Sequence, residues 1–179
     1  VMQMKLQSKN KKLSKKNQAT KFIQNWLKTF VEVPHPVFAG MPPCPFARQA
    51  RLQNKIKFME IENDFPEVSI YLAISNFDFD ANEVLAMILP ADQLTVTQTK
   101  QIAVTLNQQF SKSDIVILED HPKIPEKVKS VSLNNGRYIL FLAQSLSKLN
   151  KASATLKQTK YYHNWSKKYL KNVVGWRDL

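Results

Sequence analysis

Apolar residues recur along this chain in two rhythms, and the rhythm changes several times. Phe22, Ile23, Trp26, Leu27 and Phe30 fall at i, i+1, i+4, i+5 and i+8, one stripe of an amphipathic helix that starts near Ala19 with Thr20 as its N-cap. Pro34 ends it, because the residue before a proline is pushed out of the α region. A short helix is predicted over 45–53. Alternation then takes over: Ile56 and Phe58 oppose Lys55 and Lys57, and Val68, Ile70, Leu72 and Ile74 alternate in the same way. Asn63-Asp64-Phe65-Pro66 between them is turn chemistry, so the two segments are expected as an antiparallel pair. Val84 to Leu89 is a continuous apolar run closed by Pro90, the pattern of a central strand covered on both faces.

Thr95 caps a predicted helix to Phe110, with Ile102, Val104, Leu106 and Phe110 as its apolar members. Ile115 to Leu118 reads as a strand closed by Glu119-Asp120-His121-Pro122, and 121–131 as an irregular loop. Asn134-Asn135-Gly136 is a turn signal before a last strand, Tyr138 to Ala143. Two helices close the chain, Ser145 to Gln158 and Tyr161 to Val174. This order predicts an α+β fold: one mixed or antiparallel sheet of about five strands with helices on one face. The ferredoxin-like split β-α-β arrangement is the nearest named pattern. Residues 1–17 have no steady period and read as a flexible basic arm, leaving 18–179 as a single domain.

Composition narrows the function classes. With three scattered glycines in 179 residues, no Gly-rich phosphate loop can form, so nucleotide-fold fingerprints are absent. One cysteine excludes an internal disulfide and points to a reducing, cytoplasmic setting. No apolar run approaches the ~18 residues a membrane helix needs, and the lysine-rich start has no apolar core of the secretory kind, so no membrane is expected. The net charge of +12 is unevenly placed. Residues 1–31 carry eight lysines and no acid, residues 32–126 carry seven basic and thirteen acidic residues, and 127–179 carry eleven basic residues against Asp178 alone. Two basic ends around an acidic middle favour a polyanionic partner, nucleic acid first, or an acidic protein surface.

The arm offers Lys11, Lys12, Lys15 and Lys16 as phosphate contacts. Near the other end, Lys160, Lys167, Lys168 and Lys171 interleave with Tyr161, Tyr162, Trp165 and Tyr169. Trp165 and Tyr169 are the candidate stacking groups for bases, and packing of that aromatic face on the domain is the competing reading. A protein partner anchored on the same aromatics is a third.

The second candidate chemistry lies in Pro34 to Arg48, which holds five of nine prolines and the only cysteine. Cys44 stands where the 45–53 helix would begin, with Arg48 and Arg51 nearby, a setting that lowers a thiol pKa. Cys44 as nucleophile, His121 or His35 as base and Asp120 as orienter would make a cysteine-dependent enzyme. Cys44, His35 and His121 could equally serve as three metal ligands. A buried, inert Cys44 acting only in loop packing is the plainer expectation.

Two resemblances attach to these residues. Cys44-Pro45-Phe46-Ala47 resembles the glutaredoxin-type Cys-Pro-aromatic-Cys motif, with alanine in place of its second cysteine. Met41-Pro42-Pro43-Cys44-Pro45-Phe46-Ala47-Arg48, with Glu119-Asp120-His121-Pro122 and Tyr161-Tyr162-His163-Asn164-Trp165, resembles a group of uncharacterised bacterial and phage proteins. That likeness spans most of 20–177. It implies a bacterial or phage origin, and no activity, cofactor or substrate. The acidic middle and basic ends, for their part, also suit a structural or regulatory component of a larger assembly.

Overall fold

The computed structural model describes residues 17–177. Helix α1 (Gln18–Trp26) runs on through one π-helical turn, Leu27–Val31. A 3-10 turn (Pro36–Phe38) and helix α2 (Ala47–Leu52) lead into β1 (Ile56–Glu60), α3 (Pro66–Ser75) and β2 (Val84–Pro90). Then follow α4 (Val96–Phe110), β3 (Ile115–Asp120), the hairpin β4 (Lys127–Val128) and β5 (Val131–Ser132), and β6 (Tyr138–Ser145). Helices α5 (Leu146–Lys157) and α6 (Lys167–Val173) follow, and a 3-10 turn (Gly175–Arg177) closes the described chain. Among the described residues no helix is long and apolar enough to cross a membrane.

The fold is α+β, as expected, but the sheet differs from the expected one. It has four strands in the order β1-β2-β6-β3, with β1 parallel to β2 and both β2 and β3 antiparallel to β6. The hairpin is a separate two-stranded sheet. The expected strand over 68–74 is helix α3, so β1 and β2 form a parallel pair joined by a helical crossover, which antiparallel β1 pairing would not need. The alternation was ambiguous because Ile70 and Ile74 are also i and i+4 on a helix. Those two are fully buried, while Val68 and Leu72 face solvent. Pro66 at the first helical position and Glu67 in the first turn supply the start signal. Asn63 Oδ1 accepts from Phe65 N–H and fixes the turn before it.

Helices cover both faces of the sheet, not one. Leu85, Met87 and Leu89 of β2 point into an aliphatic core with Ile70 and Ile74 of α3 and Ile102, Ala103 and Leu106 of α4. Ala86 and Ile88 point the other way, to Leu27, Val31 and Ile23 of the first helical segment. With both faces covered, β2 is buried from Leu85 to Leu89, as its unbroken apolar run requires. Strand β3 lies at a sheet edge. Asn107 of α4 satisfies it, donating to Ile117 O at 2.8 Å and accepting from Ile117 N–H at 2.9 Å.

Two helix starts behave differently. Thr95 caps α4 through a full capping box with Gln98, as expected. Thr20 does not cap α1, which begins two residues earlier after Asn17. The Thr20 N–H instead donates to Glu60 Oε1 at 2.7 Å, so a carboxylate from β1 satisfies a first-turn donor.

Candidate functional site

The proline-rich loop is closed on itself. His35 N–H donates to Met41 O, while Phe38 N–H and Gly40 N–H both donate to His35 O. Reversal within this ring places Ala39 and Gly40 at positive φ, and glycine at 81° is the residue for which that conformation is easy. The turn pushes Phe38 outward from the loop and wholly into a third core. Around it stand Val128 of β4, Leu156 of α5, Tyr161 and Trp165. Tyr161 stacks on Phe38 at 5.5 Å and donates its hydroxyl to Pro43 O. Asn164 Nδ2 donates to Val37 O at 2.9 Å. The C-terminal segment, the hairpin and the proline-rich loop are therefore one cap beside the sheet.

The expected helix over 161–174 is only partly present. Residues 159–165 form turns, and α6 starts after Ser166, whose hydroxyl accepts from Tyr169 N–H. The aromatics that looked like one helix face converge from a turn and a helix. Trp165 meets Tyr162 edge-on at 5.0 Å and stacks with Tyr169 at 5.0 Å, so the rings expected to stack on bases are engaged with one another.

Behind the cap lies a polar cluster at the end of β3. Asp120 Oδ2 accepts from Asn135 Nδ2 at 3.0 Å and from Asn135 N–H at 3.3 Å. Its Oδ1 is buried without a hydrogen-bond partner among the described residues. Burial pushes Asp120 up to about 6, against the Asn135 hydrogen bonds and His121. Burial also pushes Glu126 up to about 7, reinforced by the charges of Asp120 and Glu119, while Lys100 and the Tyr169 hydroxyl pull it down. Glu119 is raised by burial as well.

His121 is buried, and both ring nitrogens are engaged: Nδ1 accepts from Lys123 N–H at 3.1 Å, and Nε2 lies 3.1 Å from Leu94 O. With Nδ1 accepting, Nε2 carries the proton toward Leu94 O, and the ring's one lone pair is already engaged by the backbone. Asp120 bonds Asn135 instead of orienting this ring. His35 is half-buried, and its Nδ1 accepts from Val37 N–H at 3.1 Å. A chain running from Cys44 through His121 to Asp120 is therefore not assembled. Among the described residues, no group of three or more His, Cys, Asp and Glu is placed to hold a metal ion, so Cys44, His35 and His121 do not form a ligand set.

Cys44 does not sit at the helix start: α2 begins at Ala47, with Phe46 as N-cap. Its N–H donates to Val31 O and its carbonyl accepts from Ala47 N–H, tying the first helical segment to α2. The thiol packs against the core of Leu27, Val31 and Ala50. Burial pushes it up, and the N–H groups of Phe46 and Ala47 do not reverse that. The expected lowering is overturned, because desolvation outweighs two backbone dipoles. Arg51 is turned to Glu32, in a bidentate pair at 2.6 and 2.9 Å.

Lys11, Lys12, Lys15 and Lys16 lie outside the described residues. Lys160, Lys167, Lys168 and Lys171 are all exposed on the cap. Lys127 and Lys129 of the hairpin join that module, because Val128 between them is buried beside Phe38. Reading 121–131 as an irregular loop concealed them, since only tertiary packing brings the hairpin to the C-terminal segment. An apolar floor of Leu170 and Val174 lies between Lys157, Lys167 and Lys171. Lys160, Lys167, Lys168 and Lys171 form no salt bridge among the described residues.

The fold and surface thus define an α+β protein with a mixed sheet and a basic helical cap. Compared with family models, curated proteins and solved structures, the chain shows no match.

Proposed function

We infer that the protein binds a polyanion, with nucleic acid the first choice, on the lysine surface of the cap. The observation that carries this reading is the one-sided charge of that surface. Lys160, Lys167, Lys168 and Lys171 are exposed, residues 127–177 contain no acid, and none of these four lysines is in a salt bridge among the described residues. Glu126, the acid nearest the aromatic part of the cap, is pushed up to about 7, so near neutral pH it repels an approaching phosphate less than an ordinary carboxylate. Trp165 and Tyr169 act in this reading as a rigid base that holds the lysines, not as stacking platforms. Recognition is then electrostatic and tolerant of sequence.

The test is a titration of fluorescent single- and double-stranded oligonucleotides at several salt concentrations. Binding should weaken about tenfold or more between 50 and 200 mM salt if several phosphates are contacted. Lys160→Glu/Lys168→Glu should lower affinity at least tenfold and flatten the salt slope. No detectable binding at low salt, or an unchanged slope in the variant, would remove the reading.

A further inference from the structure

Helix α3 leaves much of its apolar surface uncovered. Phe65, just before it, is 72 % exposed, and Val68, Tyr71 and Leu72 are 56 %, 43 % and 51 % exposed. Val104 on the neighbouring α4 is 50 % exposed, and a groove of about 300 Å³ runs between the two helices over Val68, Tyr71, Ile102 and Leu106. Apolar area of this kind gains by being covered.

The surroundings of this face are acidic. From Phe58 to Thr99 the chain has eight carboxylates and no lysine or arginine. Glu60, Glu62, Asp64 and Glu67 cluster at the α3 end of that stretch, are exposed, and form no salt bridge among the described residues. An occupant that suits the site is therefore basic as well as apolar.

The chain itself contains such a segment. Residues 1–16 hold six lysines and no acid, together with Met2, Met4, Leu6 and Leu13. The place where this segment joins the fold is also marked. The Thr20 N–H donates to Glu60 Oε1 at 2.7 Å, so the first turn of α1 rests on the first carboxylate of the acidic run. From that junction, sixteen residues can reach about 50 Å when extended, ample for the loop to Pro66 and the length of the ten-residue α3.

We propose that residues 1–16 dock in cis on the α3 face, their lysines on Glu62, Asp64 and Glu67 and their Met and Leu side chains on Val68, Leu72 and the α3–α4 groove. A docked segment has its lysines neutralised and withheld from other anions. The idea stands apart from the polyanion reading of the cap, because it uses a different face.

Zero-length carbodiimide cross-linking of the full chain, read by mass spectrometry, tests it. Bonds from Lys11, Lys12, Lys15 or Lys16 to Glu67 are the decisive signal, since Glu60 lies at the junction and would react regardless. They are expected in the monomer band and should fall several-fold in 0.5 M salt. Leu6→Asp/Leu13→Asp should also reduce them several-fold while raising binding of an apolar fluorescent dye, a response that charge attraction alone would not give. Cross-links spread evenly over Asp78, Asp80, Glu83 and Asp92 would overturn the proposal, as would their complete absence. Cross-links found only between copies would overturn it too, and would make the α3 face a self-association surface.

Discussion

The sheet core and the cap core solve the same problem with different side chains. Around β2 and β6 the buried set is aliphatic, with Phe141 its one buried aromatic member. Around Phe38 it is aromatic and partly polar, with Tyr161, Tyr162, Trp165 and Tyr169. The difference follows from the backbone each must cover. Strands and helices satisfy their own N–H and C=O groups, so their core needs only apolar bulk. Loops do not, so the residues covering them must also supply hydrogen bonds. Tyr161 covers Phe38 with its ring and satisfies Pro43 O with its hydroxyl, and Asn164 does the same service for Val37 O. A cap built from loops therefore requires polar aromatics.

Breaking the sheet core should cost most. Phe141→Ala is expected to destabilise by about 3–5 kcal/mol in urea unfolding and to raise amide exchange in both regions. Phe38→Ala removes an equally buried ring, yet should cost about 3 kcal/mol and act locally. Exchange should rise over 128–132 and 161–173 while β2 and β6 stay protected. Equal loss in β2 and β6 would show that sheet and cap unfold as one unit.

A pH series probes the polar cluster between the two regions. Glu126 has its folded value raised from the ordinary 4.5 to about 7. The folded state therefore holds the proton more tightly, and this contribution is full below pH 4.5 and lost as pH rises through 7. It should amount to about 1–2 kcal/mol after solvent screening, visible as a falling urea midpoint over that window. Glu126→Gln should flatten that window. Asp114 works in the opposite sense, because the Ser147 hydroxyl, with help from Ser145 and the Ser147 N–H, lowers its value. Its contribution is present above pH 3.8 and lost as pH falls through the lowered value.

Smaller effects sharpen the comparison. Tyr161→Phe keeps the ring and leaves Pro43 O without its donor, which should cost about 1 kcal/mol and be far milder than Phe38→Ala. Cys44 should alkylate slowly at pH 7 in the folded protein and quickly in urea, the order expected of a thiol whose value burial has raised. Fast labelling of the folded form would reopen the cysteine chemistry that the geometry around His121 leaves without a base.

Much of the sheet core was legible because its elements carry strong periods or runs. Val84 to Leu89, the Thr95 cap and the alternation at Ile56 and Phe58 all became the elements they predict. The 68–74 segment misled because a short stretch of β-branched and apolar residues satisfies either period, and only Pro66 with Glu67 pointed to helix. The candidate site was legible as composition, in lysines and aromatics, but not as geometry. Nothing local in Tyr161 or Trp165 announces that the partner is Phe38, more than a hundred residues away.

The sequence by itself determined the class of fold, the buried central strand, the helix starts at Thr95 and Ser145, and the segregation of charge along the chain. These depend on neighbouring residues and on totals. The tertiary structure alone decided which side chains lost their water. It raised the Cys44 thiol where a helix start would have lowered it, engaged both nitrogens of His121 with backbone groups, and turned Trp165 and Tyr169 inward. It also packed the hairpin and the C-terminal segment around Phe38. Desolvation depends on everything packed around a group, and that is set by chain segments far apart in sequence.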